Sequence, residues 1–158
     1  MQEPPMEIKL GIIVTISIVC AIIFRKIMKK ILIIEDNDCL SEVLKDAFTE
    51  IGYDVSVALI GTDAVHIIET VRLDLIILDM VLPGINGLEI LGLVKQKYSK
   101  IPVLIYTAFE DYEKKYQTMF KEDRFCAFLL KPVYIEKLIS ESERLIDTCN
   151  KSLLQDFI

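Results

Sequence analysis

Residues 75–87 read Leu75-Ile76-Ile77-Leu78-Asp79-Met80-Val81-Leu82-Pro83-Gly84-Ile85-Asn86-Gly87. Four consecutive apolar residues stop at a carboxylate and run into a turn. So short a run, framed by polar and turn residues, reads as a strand buried on both faces. Asp79 then falls at the carboxyl edge of the sheet, where open α/β folds place their ligands. Pro83 and Gly84 supply the exit turn, and Gly87 a tight entry into the next helix. Two readings of Asp79 stand at this point: a reactive carboxylate at the mouth of a crevice, or a cap for the helix that follows.

Upstream, the same pattern occurs once more. Ile31 to Ile34 is a second apolar run ending in carboxylates, Glu35 and Asp36, after which Asn37 and Asp38 offer a helix cap. The helix that follows carries Leu40, Val43, Leu44, Ala47, Phe48 and Ile51 as its apolar stripe, and Gly52 ends it. Val55 and Val57 mark a strand, and Gly61-Thr62-Asp63 opens a helix with Ala64, Ile67, Ile68 and Val71 on one face. Downstream of Asp79, a helix over 88–97 turns Leu88, Leu91 and Val94 inward. A strand over 101–106 ends in Thr107-Ala108, and a polar helix over 111–121 bears Tyr112, Tyr116, Met119 and Phe120. A strand over 127–130 ends in Lys131-Pro132, and a last helix starts near Tyr134, its stripe continuing towards Leu153 and Phe157.

Five strands alternating with five helices predict a parallel sheet covered on both sides. The expected solution is flavodoxin-like, a doubly wound (βα)5 fold with strand order 2-1-3-4-5. Its switch point lies between strands one and three, whose carboxyl ends carry Glu35-Asp36 and Asp79.

The chain of 158 residues suffices for one domain with a good core, and 53% hydrophobic residues leave room for one further apolar segment. A net charge of -6 argues against a nucleic-acid partner, since phosphate contacts need clustered Lys and Arg. One histidine and four scattered cysteines exclude an ordinary zinc site and give no disulfide framework. Such thiols suit a reducing cytoplasm.

The extra apolar segment is N-terminal. Leu10 to Phe24 holds no charge, and Ile8 with Lys9 extends the run to 8–24, a reach of roughly 26 Å as a helix. Arg25, Lys26, Lys29 and Lys30 follow. This fits a membrane helix with the rest of the chain on the cytoplasmic side. A second reading takes Met28 as the natural first residue and 1–27 as a mis-assigned start. The expected organisation is thus 1–27 as anchor or false start, 28–150 as the domain, and 151–158 as a helical extension or tail.

Glu35, Asp36, Asp79, Thr107 and Lys131 all fall at one sheet edge. Three neighbouring carboxylates repel unless a cation joins them, and Mg2+ with oxygen ligands meets that need. Lys131 and Thr107 opposite them suit a phosphoryl group carried on Asp79, because phosphoryl transfer depends on positioning and charge neutralisation.

With these marks at the ends of the right strands, residues 28–150 resemble a response-regulator receiver domain of two-component signalling. The resemblance implies that Asp79 accepts phosphate from a histidine kinase or a histidine phosphotransfer protein. It further implies that Glu35, Asp36, Asp79 and the backbone carbonyl of Val81 serve Mg2+, that Thr107 and Lys131 meet the phosphoryl group, and that Phe128 is the switch aromatic. A cis Lys131-Pro132 bond is implied as well. Val81 and Phe109, apolar where the hydrolytic water would pass, imply slow loss of phosphate rather than enzymatic turnover. Partners, or a second copy, are expected on the surface of the fourth helix, fifth strand and fifth helix, with no output domain after residue 158.

Two further readings remain beside this one: a phosphorylation-independent binding module on the same fold, and a haloacid-dehalogenase-like phosphatase. The latter wants a second Asp two residues after the nucleophile, where this chain has Val81. His66, beside an apolar helix stripe without partner residues, reads as an ordinary surface residue.

Overall fold

The apolar runs become the strands of one parallel sheet. In the computed structural model, which describes residues 29–120 and 122–155, the elements alternate strictly. They are β1 (Lys30–Ile34), α1 (Asp38–Glu50), β2 (Asp54–Ala58), α2 (Gly61–Thr70), β3 (Leu75–Leu78), α3 (Gly87–Lys97), β4 (Val103–Thr107), α4 (Glu110–Met119), β5 (Cys126–Leu130) and α5 (Ile135–Gln155). The strand order is β2-β1-β3-β4-β5, and every pairing is parallel.

The lack of alternation in β1 and β3 follows from burial on both faces. Leu32, Ile34, Ile76 and Leu78 pack with α2 and α3 on one side of the sheet. Ile31, Ile33, Leu75 and Ile77 pack with α1 and α5 on the other. Each is essentially inaccessible to solvent, a burial that contributes roughly 2 kcal/mol per side chain. The edge strand β2 is exposed at Asp54, half-buried over Val55–Val57 and buried only at Ala58. Asn37 caps α1 by accepting the Leu40 N–H at 3.0 Å, and Gly52 follows its end with φ +92°. Asn86 caps α3 and also donates to Glu89 at 2.8 Å, a reciprocal capping pair.

Several details depart from the sequence expectation. Val43 is 61% exposed, because α1 buries the narrower stripe Ser41, Leu44 and Phe48. In α3 the fully buried side chain is Ile90, with Leu91 and Val94, while Leu88 is only half-buried. β4 starts at Val103, not Ile101. Pro102 accepts from the Ile76 N–H at 3.0 Å but has no N–H to return to the ladder. Met119 points to solvent at 64% exposure, and α4 buries no residue fully.

The anchor or false start over 1–27, with its apolar span 8–24, lies outside the described residues. Among the described residues, no helix is long and apolar enough to cross a membrane. α5 continues to Gln155, so most of the expected C-terminal extension is helical as far as the described residues reach.

Candidate functional site

Four strands end together, and each delivers a polar residue there. The sheet ladder does the placing. The Asp79 N–H donates to the Ile34 carbonyl at 2.9 Å, the Glu35 N–H to Ala58 at 3.1 Å, and the Lys131 N–H to Thr107 at 2.8 Å. Residues far apart in sequence therefore converge without a loop having to hold them, which is how rigid sites are built on open sheets.

Asp79, buried with 7% exposure, is the hub. Its Oδ1 accepts from Thr107 Oγ1 at 2.8 Å and from the Val81 N–H at 3.1 Å. Its Oδ2 faces Lys131 Nζ at 2.5 Å. Lys131 also reaches Glu35 Oε2 at 2.6 Å and lies 5.1 Å from the centre of the Tyr106 ring. Asp36 is exposed at the rim. One carboxylate oxygen each from Glu35, Asp36 and Asp79 lie within 4.8 Å of one another. An all-oxygen, triply acidic set of this kind fits a hard divalent cation such as Mg2+.

Charge and burial oppose each other here. Burial pushes the Glu35 carboxyl above its ordinary value, against the hydrogen bond and charge of Lys131, and the nearby Asp79 charge pushes the same way as burial. For Lys131, burial disfavours the ammonium, but its bonds to Asp79 and Glu35 outweigh that and hold its pKa above the ordinary value. One lysine thus offsets two buried carboxylates, a cluster with surplus negative charge that a metal ion would relieve.

Two glycines let the loops close around the hub. A Cβ on Gly87 would sit 2.5 Å from Met80 Cα and 2.7 Å from the Asp79 carbonyl oxygen. A Cβ on Gly61 would meet the Ile85 carbonyl oxygen at 2.5 Å. The β3–α3 turn therefore rests against the start of α2 and folds tightly back onto Asp79, with Gly84 in the left-handed region at φ +83°.

A sequence-family model described as the response regulator receiver domain matches residues 31–143 of this chain. The chain belongs to the response regulator receiver domain family. The receiver domain is 37% identical over 114 residues to the response regulator ArlR of Staphylococcus aureus, covering 72% of this chain and 50% of that one. It is 32% identical over 117 residues to the transcriptional regulatory protein CusR of Escherichia coli, covering 74% of this chain and 51% of CusR. The chain thus spans about half the length of the curated relatives it matches. Among solved structures it resembles the response regulator protein TrrA of Thermotoga maritima, a structure in complex with Mg2+-BeF. That likeness has a TM-score of 0.64 and 28% identity, and covers 75% of this chain and 99% of that one. Receiver domains of this kind are signalling modules of two-component systems rather than enzymes.

The receiver domain brings Glu35, Asp36, Asp79, Thr107, Lys131 and the Val81 backbone to one place. Phe128 lies within β5, paired with Ile105 two residues below the Thr107–Leu130 pair, and stacks on Tyr116 at 5.7 Å. The Lys131–Pro132 bond is cis. His66 is exposed on α2. Two contacts were not foreseen from the sequence: the Glu35–Lys131 bridge and the Tyr106 ring beside the ammonium. Tyr106 precedes Thr107 in a strand, so its side chain points to the opposite face, and no motif flags it.

Proposed function

We propose that Asp79 is the phosphoacceptor of a two-component phosphorelay and that Glu35, Asp36 and Asp79, with the Val81 carbonyl, hold Mg2+ for the transfer. The observation that carries this reading is the set of donors on Asp79. Thr107 and Lys131 engage its two oxygens, and one carboxylate oxygen each from Glu35, Asp36 and Asp79 lie within 4.8 Å of one another. An Asp79 oxygen attacks the phosphorus of a phosphohistidine on a kinase or phosphotransfer protein. The phosphorus–nitrogen bond breaks, its electron pair remains on the imidazole, and the imidazole takes up a proton. Bound Mg2+ supplies positive charge to the phosphoryl oxygens. Lys131 then shifts its ion pair from the carboxylate to the phosphoryl group, and the Thr107 hydroxyl transfers its hydrogen bond to a phosphoryl oxygen.

The readout follows from Thr107. It shares a face of β4 with Ile105, which pairs with Phe128, and Phe128 stacks on Tyr116 of α4. A change at Thr107 reaches α4 through that stack, and a two-state α4–β5–α5 surface then selects a protein partner or a second copy. Val81 and Phe109, 40% and 51% exposed beside the site, offer no group to orient a hydrolytic water, so the phosphoryl group is lost slowly. Residues 28–150 act as the receiver, and α5 runs on past it as far as Gln155.

Incubation with acetyl phosphate and Mg2+, read by intact mass, tests this. The expected gain is about 80 Da, absent in Asp79→Asn and in EDTA. No gain in a folded protein would instead leave a phosphorylation-independent binding module.

A further inference from the structure

The opposite edge of the sheet carries charge of the opposite sign. There the amino ends of the strands and the carboxyl ends of α2, α3 and α5 frame a cleft of about 900 Å3. Its floor is apolar, with Ile68, Ile101 and Ile146 among the lining residues. Five cationic residues line it, Lys29, Lys30, Arg72, Lys97 and Lys100, against the carboxylates of Glu69 and Asp74. The pairs Lys97–Glu69 at 2.8 Å and Lys30–Asp54 at 3.7 Å are solvent-exposed and cost little to rearrange. At the other edge stand Asp36, Asp38, Asp63, Asp79, Glu110 and Asp111. The cleft lining thus carries three more cations than carboxylates, whereas the carboxyl edge of the sheet is acidic.

The sequence enters at the basic edge. Only residues 25–29 lie between the apolar run 8–24 and β1, and two of them are Arg25 and Lys26. Five residues reach at most about 17 Å. We propose that the amino edge of the sheet docks on an anionic membrane surface, with residues 8–24 inserted and Arg72, Lys97 and Lys100 contacting lipid headgroups. Each basic residue near such a surface is attracted to it within about a Debye length, and the acidic edge is repelled. Both effects favour one orientation. Because β1 alone spans about 16 Å, the Asp79 edge is held away from the bilayer, open to a partner.

Two native cysteines report this orientation. Cys149 lines the basic cleft, where its thiol donates to the Lys100 carbonyl at 3.1 Å, while Cys39 is exposed in the first turn of α1 at the acidic edge. The full chain is reconstituted with vesicles of phosphatidylcholine, or of phosphatidylcholine with phosphatidylglycerol, and pulsed with a maleimide. Labelling at each cysteine is read by peptide mass. The anionic vesicles are expected to slow Cys149 at least about fivefold relative to neutral ones and leave Cys39 unchanged. Raised salt on the unaltered chain, or Arg72→Gln with Lys97→Gln and Lys100→Gln, is expected to remove the difference. Equal Cys149 rates in both vesicle types, slowing of Cys39 alongside Cys149, or a chain that does not partition with vesicles would each overturn the proposal.

Discussion

Lys131 and Glu35, 96 positions apart, are joined by a 2.6 Å ion pair inside a site whose hub is a different carboxylate, Asp79. The lysine therefore has two roles to fill. Before any phosphoryl group arrives it holds two buried acids together, and afterwards it must leave one of them.

Replacing Lys131 by Ala should leave Glu35 and Asp79 facing each other uncompensated. Loss of one partner from a buried pair costs about 3 kcal/mol. Because a divalent cation can take over the neutralisation, Mg2+ should restore more stability to this variant than it adds to the wild type. Urea unfolding with and without Mg2+ measures both. An equal Mg2+ increment in the two proteins would show that the ammonium and the metal do not share the same carboxylates.

Thr107→Val should preserve the strand and the burial but remove the hydroxyl that bonds Asp79 at 2.8 Å. Phosphoryl uptake is expected to fall less than tenfold, whereas the response of α4 is lost. Amide exchange across Glu110–Met119, compared before and after acetyl phosphate, distinguishes the two effects. A phosphorylation-dependent change in α4 that survives in the variant would remove Thr107 from the switch.

The glycines should separate cleanly. Gly87→Ala places a Cβ 2.5 Å from backbone, so a shift of the Asp79 loop is unavoidable, with an expected cost of about 2–3 kcal/mol and weaker Mg2+ binding. Gly92 lies within α3 with nothing within 4 Å of a new Cβ, and Gly92→Ala should stabilise by about 0.5–1 kcal/mol. Thermal or urea midpoints report both. A neutral Gly87→Ala would mean the turn has room that its geometry denies.

Alkaline conditions should unfold the domain through its buried acids. Burial pushes the Cys126 thiol from 9.0 up to about 12, and chiefly burial takes the Tyr53 and Tyr116 hydroxyls from 10.0 up to about 12. The unfolded chain releases these protons first, so the folded state binds more of them at high pH. Stability is complete below about pH 9 and declines as pH rises towards 12. Urea midpoints that stay constant from about pH 8 to about pH 11 would contradict this.

The frame of the fold was legible because the central strands carry no alternation to misread. Leu75–Leu78 and Ile31–Ile34 are buried on both faces, and each ends in an acid whose position the sheet then dictates. Legibility dropped where packing decides. α1 selects Ser41 over Val43 for its buried stripe, a choice set by how the helix rolls on the sheet rather than by hydrophobicity. In the site, the strand ends announced Asp79, Thr107 and Lys131, each adjacent to a recognisable break. The Glu35–Lys131 bridge was hidden, because side-chain reach from the end of β5 past β4 and β3 to β1 has no local sequence signal.

The most direct test is to reduce the acetyl-phosphate-treated protein with borohydride, which converts an aspartyl phosphate to homoserine, and to locate that residue by tandem mass spectrometry. The account predicts homoserine at Asp79 alone, dependent on Mg2+. Homoserine at Asp36 or another aspartate, or a folded protein with none at all, would contradict it.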